Sequence, residues 1–226
     1  MSTSLVPIVP PGEDELPCSD GVPMETELHR KQMTLLIDSL ELAWAARTDF
    51  YVGGNMFMYF SEEQVKHNDF VGPDVFVVLD TVRRVRKSWV VWKENARTPN
   101  VVIELLSEST EHVDRGKKMK IYATQLHVAE YYLFDPLREG GVVEGYELRG
   151  SRYRPMKPDA HGDLSSRELG LRLGVREDTY QGVPARWLRW LDEDGRVLPS
   201  AEAKARDAEA EVAALRARLE ALEGKR

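Results

Sequence analysis

The chain has 226 residues, 42% of them hydrophobic, which suits one globular domain with appendages. No apolar stretch approaches the roughly 20 residues that span a bilayer, and Met1–Pro11 lacks the basic residues and long apolar run of a secretory signal. Cys18 is the only cysteine, which excludes an internal disulfide framework and a cysteine zinc site. We therefore expect a cytoplasmic protein that does not span a membrane.

The net charge of −7 is unevenly distributed along the chain. Residues 1–27 carry no lysine or arginine, and their acidic residues are Glu13, Asp14, Glu15, Asp20, Glu25 and Glu27. Residues 199–226 contain equal numbers of acidic and basic side chains, so the body between these segments is nearly neutral. A nearly neutral body can still carry a local basic patch that contacts phosphates. The acidity of the chain therefore does not exclude DNA binding.

The N-terminal part is predicted to be an arm followed by a helix and three strands. Residues 1–22 are rich in proline, glycine and acid, which favours a flexible acidic arm. From Met24 to Trp44 the apolar residues recur at helical spacing. Strand-like runs then follow at Asp49–Phe60, Val71–Leu79 and Val101–Leu106.

A basic run lies between the second and third of these strands. It consists of Arg83, Arg84, Arg86 and Lys87 and precedes a short apolar stretch, Trp89–Trp92. The run is a candidate loop for contact with nucleic-acid phosphates. A solvated turn is the commoner role for such a run and remains the alternative.

The second half of the body predicts a helix, a strand and two hairpins. Ser109 or Thr110 can cap a helix that runs to about Leu126. The strand Glu130–Phe134 follows, and the predicted hairpins pair Val142–Leu148 with Arg152–Met156 and Trp187–Leu191 with Arg196–Leu198. The order αβββαβ with accessory hairpins therefore predicts one α/β domain over residues 23–198.

Residues 199–226 are predicted to form a C-terminal helix, and their sequence has a heptad pattern that begins at Leu198. Position a falls on Leu198, Ala205, Val212 and Leu219, and position d on Ala201, Ala208, Leu215 and Leu222. In a parallel pair, the g and following e positions oppose Lys204 with Glu209, Glu211 with Arg216 and Arg218 with Glu223. These pairs are opposite in sign, which favours a parallel coiled coil that assists a homodimer. A lone solvated helix is the alternative, because alanine, glutamate and arginine favour helix without a partner.

Two carboxylates stand in apolar runs that read as buried strands. Asp74 lies in VGPDVFVV and Glu104 in VVIELLS. An acid in such a run is costly unless it is paired, and a divalent metal can pair with two acids on neighbouring strands. We therefore predict an Mg²⁺ or Mn²⁺ site of the kind that hydrolyses phosphodiester bonds. The alternatives are a turn residue for Asp74 and a structural salt bridge to Lys118 for Glu104.

The predicted helix after Glu104 offers a cation for the same site. Asp114, Lys118 and Tyr122 are spaced i, i+4, i+8 and share one helix face. Lys118 would position water or stabilise developing charge, with Asp114 and Tyr122 as supports. The histidines show no zinc-ligand spacing; they are His29, His67, His112, His127 and His161.

Together these motifs resemble the PD-(D/E)xK nuclease superfamily, and more closely its Uma2 branch of restriction endonuclease-like proteins. The matching segments, within about residues 24–200, are Pro73–Val75, Val102–Thr110, Asp114 with Lys118 and Tyr122, Glu130–Pro136, Gly145–Tyr146 and Leu169–Leu171. The resemblance implies a restriction-endonuclease-like αβββαβ core with a mixed sheet. It also implies Mg²⁺-dependent cleavage of DNA through Asp74, Glu104 and Lys118.

The chain departs from the superfamily pattern at Leu106. The superfamily places a lysine two residues after the glutamate, where this chain has Leu106. The resemblance then implies that Lys118, on the following helix, performs the role of the missing lysine. The alternative is a catalytically inactive binding or assembly module that dimerises through its C-terminal helix. A first-helix acid, Glu27 or Glu41, is also a candidate, although spacing marks neither.

Overall fold

The computed structural model of the protein describes residues 10–18, 26–61, 70–138 and 141–223. The helices are α1 (Glu27–Ala43), α2 (Glu111–Val113), α3 (Met119–Thr124) and α4 (Ala201–Glu223), with a 3₁₀ turn at Val91–Lys93 and a π-helical turn at Asp114–Lys118. The strands are β1 (Phe50–Gly53), β2 (Met58–Tyr59), β3 (Val75–Leu79), β4 (Trp89–Val90), β5 (Val101–Leu105), β6 (Glu130–Phe134), β7 (Glu144–Arg149), β8 (Arg152–Pro155), β9 (Leu164–Ser166), β10 (Leu171–Tyr180) and β11 (Val183–Leu191). The helix predicted up to Leu126 is therefore interrupted, since α2, the π-helical turn and α3 follow one another directly.

A six-stranded mixed sheet forms the centre of the domain. Its strand order is β1-β3-β5-β6-β7-β8, and β5 and β6 form its parallel pair while the other neighbours are antiparallel. The interrupted helix connects β5 to β6, as a parallel pair requires a crossover. This arrangement confirms the predicted α/β αβββαβ core with a mixed sheet.

Both faces of this sheet are covered, so its central strands are buried throughout. Val101, Ile103 and Leu105 face a core shared with α1 and β11, whereas Val102 faces the core shared with α3. Successive residues of a strand point to opposite faces. Glu104 therefore points to the same face as Val102, toward the interrupted helix.

Helix α1 covers the first face of the sheet. Thr26 caps it, since the Thr26 hydroxyl accepts a hydrogen bond from the His29 N–H at 3.2 Å. The Gln32 side chain exchanges two hydrogen bonds of 2.9 Å with the backbone of Leu188, and Leu36 is fully buried. These contacts hold α1 against the sheet and β11. Met24, where the sequence begins the helix, lies outside the described residues.

One of the two predicted accessory hairpins is present, and the other differs from the prediction. The first is confirmed as β7–β8. In place of the second, β11 pairs with β10 over nine residue pairs, and a single bridge joins Leu191 to Val197. The sequence pattern does not predict β10, because Glu177 and Asp178 near the end of this strand are exposed and charged. The predicted strand Asp49–Phe60 likewise divides into β1 and β2, which belong to different sheets.

Residues 10–18, which the sequence assigns to the arm, pack against the domain. Leu16 is buried with 7% of its surface exposed. The Trp92 indole donates a hydrogen bond to the Pro11 carbonyl at 3.0 Å, and the Tyr59 hydroxyl donates to the Pro17 carbonyl at 2.7 Å. Hydrophobic burial and hydrogen bonds thus hold this segment in place, and the rest of residues 1–22 lies outside the described part.

Helix α4 extends from the domain at its C-terminal end. The Ser200 hydroxyl accepts the Ala203 N–H at 3.2 Å and caps the helix. From Lys204 to Leu222 its side chains are exposed. None of the helices in the described part of the chain is long and apolar enough to cross a membrane.

Candidate active site

Asp74 and Glu104 meet at the start of β3 and the end of β5. The antiparallel register pairs Val75 with Ile103, and continuing it by one step places Asp74 opposite Glu104. The Asp74 N–H donates to Glu104 Oε2 at 3.1 Å, and the Leu105 N–H donates to Asp74 Oδ2 at 2.7 Å. Each carboxylate therefore binds the backbone of the opposite strand. The structure brings together the two acids that the sequence singles out.

Glu104 is fully buried on the helix side of the sheet. The Tyr122 hydroxyl donates to Glu104 Oε1 at 2.7 Å, and Lys118 Nζ lies 3.1 Å from Oε2. Burial is the main cause that raises the pKa of Glu104 to about 8. The neighbouring carboxylates of Asp74 and Asp114 act in the same direction, and the Lys118 charge opposes them. Without an additional cation, Glu104 is therefore mostly protonated at pH 7.

Asp74 is partly exposed and belongs to the same electrostatic unit. Burial of its carboxyl group raises the pKa of Asp74, whereas Lys118 and the Leu105 N–H lower it. A hydrogen-bonding contact with Glu104 also lowers this pKa. Two carboxyl groups at such close range cannot both ionise without cost unless a cation joins them.

Lys118 is the cation that the structure places among these acids. Its Nζ lies 2.9 Å from Asp114 Oδ1 and donates to the Gly72 carbonyl at 3.2 Å. Although burial lowers the pKa of Lys118, Glu104, Asp114 and Asp74 together raise it above its usual value. Lys118 is therefore protonated, and its side chain retains 21% exposure toward solvent.

The π-helical turn places Asp114 and Lys118 over the sheet. Asp114 is buried, with 1% of its surface exposed. Its Oδ1 has no hydrogen-bond partner in good geometry, so the contact with Lys118 is an ion pair rather than an aligned hydrogen bond. The Tyr131 hydroxyl donates to the Asp114 carbonyl at 2.9 Å and so satisfies part of this irregular turn. Such π-helical turns occur frequently at functional sites.

Gly54 supports Asp74 from the adjacent turn, a role that the sequence does not reveal. A Cβ atom on Gly54 would lie 2.2 Å from the Asp74 carbonyl oxygen, closer than any side chain allows. The Asn55 N–H donates to the carbonyls of Pro73 at 3.1 Å and Asp74 at 3.2 Å. The backbone that presents Asp74 is thus held from two sides.

The donor set of this site fits a hard divalent cation. Asp74 and Glu104 offer carboxylate oxygens, which Mg²⁺ and Mn²⁺ prefer, and water can complete the coordination of Mg²⁺. The raised pKa of the buried Glu104 indicates a local shortage of positive charge. Within the described ranges, no group of three or more histidine, cysteine, aspartate or glutamate side chains has metal-binding geometry. A metal here would therefore rest on two carboxylate ligands, Asp74 and Glu104.

The other predicted site positions have separate roles. Leu106, at the expected lysine position, is buried in the core beside α3. Its carbonyl accepts a hydrogen bond of 3.0 Å from the His29 ring, so His29 anchors the residue next to the site. Of the two first-helix acids, Glu27 pairs with Lys31 at 3.0 Å, and the other, Glu41, pairs with an arginine of the basic run at 3.1 Å.

The structure does not support the predicted phosphate contact for Arg86. Its side chain is only 1% exposed and binds both oxygens of Glu94, at 2.8 and 2.9 Å. Its guanidinium also lies over the rings of Tyr51 and Trp89. This residue is part of the domain interior, because Glu94 and the aromatic rings already use its donors and its planar face.

The other three members of the basic run are also paired with acids. Arg84 contacts Glu94 at 2.6 Å and Glu13 at 2.8 Å, Lys87 contacts Asp14 at 2.6 Å, and Arg83 contacts Glu41 at 3.1 Å. Glu13 and Asp14 come from the N-terminal segment, so that acidic segment pairs with two of the four cations of the run. Their role in nucleic-acid binding stays a prediction.

The mixed sheet, with two strand-borne carboxylates and a lysine on the crossover helix, defines a restriction-endonuclease-like α/β domain. The chain belongs to the Uma2 family, described as "putative restriction endonuclease", whose family model matches residues 19–180. This membership supports a nuclease function. No curated protein matches the chain significantly.

Among solved structures, the chain is similar to a crystal structure titled as a "putative nuclease belonging to DUF820" from Anabaena variabilis. The two chains share 14% sequence identity with a TM-score of 0.47. The match covers 65% of this chain and 76% of that one.

Proposed function

We propose that the protein is an Mg²⁺-dependent endodeoxyribonuclease, with Mn²⁺ as a substitute metal. The observation that carries this proposal is the juxtaposition of Asp74 and Glu104, whose carboxylates cross-bind the backbones of β5 and β3. The family supports nuclease chemistry, and the oxygen donor set supports a hard divalent metal.

Each residue of the site has a separate proposed role in phosphodiester hydrolysis. Asp74 and Glu104 would hold Mg²⁺, which supplies Lewis-acid polarisation of a phosphate oxygen and lowers the pKa of bound water. Lys118, which is charged and partly exposed, would neutralise the charge that develops on the reacting phosphate. Tyr122 fixes the orientation of Glu104 through its 2.7 Å hydrogen bond, and Asp114 holds the Lys118 ammonium group.

A specific observation favours the second candidate function, a catalytically inactive binding module with a nuclease fold. Leu106 replaces the expected lysine, and Lys118 is already engaged by Glu104 and Asp114 at 3.1 and 2.9 Å. A lysine held in this way would maintain the fold without serving chemistry. For the nuclease we propose DNA as the partner. We also propose a cytoplasmic location, which the single cysteine of the chain supports.

The proposal is tested by plasmid cleavage in the presence of Mg²⁺ or Mn²⁺. We expect the wild-type protein to nick or linearise DNA, and Asp74→Asn and Glu104→Gln to abolish cleavage while the far-ultraviolet circular dichroism stays unchanged. Metal-dependent cleavage should be lost because each substitution removes an anionic ligand.

Glu130→Gln is the matched control. Glu130 is also a buried strand glutamate, but Ser166, Tyr132 and backbone N–H groups satisfy its oxygens. Its folded variant should retain cleavage. Cleavage that persists in both Asp74→Asn and Glu104→Gln would refute the assignment, and a wild-type protein that binds DNA but never cleaves it would support the binding module.

A further inference from the structure

Helix α4 has a long surface that packs against none of the described residues of the domain. It spans 23 residues, or about 35 Å at 1.5 Å per residue. Its first turn contacts the domain, where Glu202 accepts a hydrogen bond of 2.9 Å from the Gln181 N–H. Beyond that turn, side chains from Lys204 to Leu222 are exposed. Because helices in proteins derive most of their stability from packing an apolar face, this helix lacks its usual support.

The exposed apolar residues of α4 form one narrow stripe. Val212, Leu215, Leu219 and Leu222 are exposed by 46%, 53%, 58% and 60%. They alternate at spacings of three and four residues, which is the a/d pattern of a coiled-coil seam. The positions beside the stripe are charged and those opposite are mostly alanine. A seam of this width fits another helix of the same kind rather than a broad domain surface.

We propose that α4 docks against α4 of a second copy of this chain in a parallel coiled coil. Charge complementarity selects both the partner and the orientation. In the parallel arrangement, Lys204 faces the partner's Glu209 and Glu211 faces the partner's Arg216, so opposite charges meet on both sides of the seam.

The antiparallel arrangement opposes like charges. When the apolar stripes are centred on each other, Val212 lies opposite the partner's Leu222, and e positions face e positions while g positions face g positions. Arg216 then meets the partner's Arg216, and Arg218 meets the partner's Arg218. Because the antiparallel pair is repulsive where the parallel pair is attractive, the parallel homodimer is favoured. It brings the C-terminal ends of the two domains to the same end of the coil.

Analytical ultracentrifugation of the full chain over a range of concentrations tests self-association. We expect a monomer–dimer equilibrium in the wild-type protein and a monomer at every concentration in the double variant Leu215→Lys/Leu219→Lys. Ala217→Lys, at position f on the opposite side of the helix, is the matched control and should dimerise like the wild type. A wild-type monomer throughout the range, or a dimer that survives the double variant, would overturn the proposal.

Cysteine cross-linking tests the orientation independently of nuclease activity. In a Cys18→Ser background, Leu222→Cys places one thiol at position d of each chain. A parallel pair brings the two Cβ atoms into the range of a disulfide, about 3.5–4.5 Å, whereas the antiparallel pair separates them by about 15 Å along the axis.

We expect oxidation to yield a disulfide-linked dimer of this variant, and no such dimer of the control Cys18→Ser/Ala217→Cys. A protein that dimerises in ultracentrifugation but does not cross-link through residue 222 would refute the parallel orientation. Thermal unfolding of each variant verifies that the domain is intact, as the substituted side chains are exposed.

Discussion

Two clusters of charged residues in this domain, each containing a buried glutamate, differ in charge balance. The lysine cluster consists of Lys118 with Asp74, Glu104 and Asp114, and the arginine cluster of Arg84 and Arg86 with Glu13 and Glu94. In the arginine cluster the numbers of cations and acids are equal. In the lysine cluster, one cation serves three acids.

The excess of acids over cations in the lysine cluster raises the pKa of one of its acids. In the arginine cluster, Glu94 accepts two hydrogen bonds from Arg86 as well as a contact from Arg84, so its charge is matched. In the lysine cluster, burial and neighbouring acids raise the pKa of Glu104 to about 8. A matched buried cluster is typical of a structural role, whereas a cluster with a strongly perturbed acid is a candidate functional site. This difference, rather than the mere presence of buried charges, distinguishes the candidate active site.

The largest expected effect concerns the arginine cluster. Arg86→Met should lower the free energy of unfolding by about 3–5 kcal/mol, because it leaves Glu94 buried without its bidentate partner. Urea unfolding monitored by tryptophan fluorescence measures this loss. Glu104→Gln is the comparison from the lysine cluster and should change the stability of the metal-free protein by only about 1 kcal/mol. Equal losses in the two variants would remove the contrast between the clusters.

The next effect concerns the proposed catalytic role of Lys118. If the proposal holds, Lys118→Met should lower the rate of Mg²⁺-dependent DNA cleavage by about 10²–10³-fold, since it removes the cation proposed to neutralise the reacting phosphate. Single-turnover cleavage kinetics measures the chemical step. Lys117→Met, one residue earlier in the same turn, is the matched control and should cleave at nearly the wild-type rate. A Lys118→Met variant with unchanged kinetics would assign this lysine to the fold alone.

The sequence predicts the parts of this fold that follow simple hydrophobic patterns. Strands β3, β5 and β6 are short apolar runs that are buried on both faces, and they occur where the pattern places them. Helix α1 also follows its helical spacing, because one of its faces packs on the sheet. By contrast, the sequence does not predict β10. The last part of this strand is exposed and charged, so it lacks the apolar run that marks a buried strand.

The candidate site could be predicted as a set of residues but not as an electrostatic unit. The apolar surroundings of Asp74 and Glu104 mark both acids, and the i, i+4 spacing marks Asp114 and Lys118. The π-helical turn has no pattern in the sequence, because an insertion in helical hydrogen bonding leaves the residue spacing almost unchanged. The close approach of Gly54 likewise depends on tertiary packing.

The basic run shows why local charge predicts function poorly. Four cations within five residues suggest a surface for phosphates, yet their partners come from distant parts of the chain. Glu13 and Glu41, for instance, are far from Arg84 and Arg83 in sequence but form ion pairs with them. Only the folded structure shows whether a cation is already neutralised.

Titration calorimetry with Mn²⁺ at pH 7, in buffers of different ionisation enthalpy, tests the central claim that Asp74 and Glu104 form a divalent metal site. Because Glu104 with its pKa of about 8 is mostly protonated at pH 7, metal binding should release up to about one proton. The affinity should therefore rise as the pH increases from 6 to above 8, while the proton release declines above pH 8.

We predict one Mn²⁺ site per chain in the wild-type protein, its loss in Glu104→Gln, and its retention in Glu130→Gln. The absence of binding by the wild-type protein, or equal affinity and no proton release in the wild type and Glu104→Gln, would contradict the account.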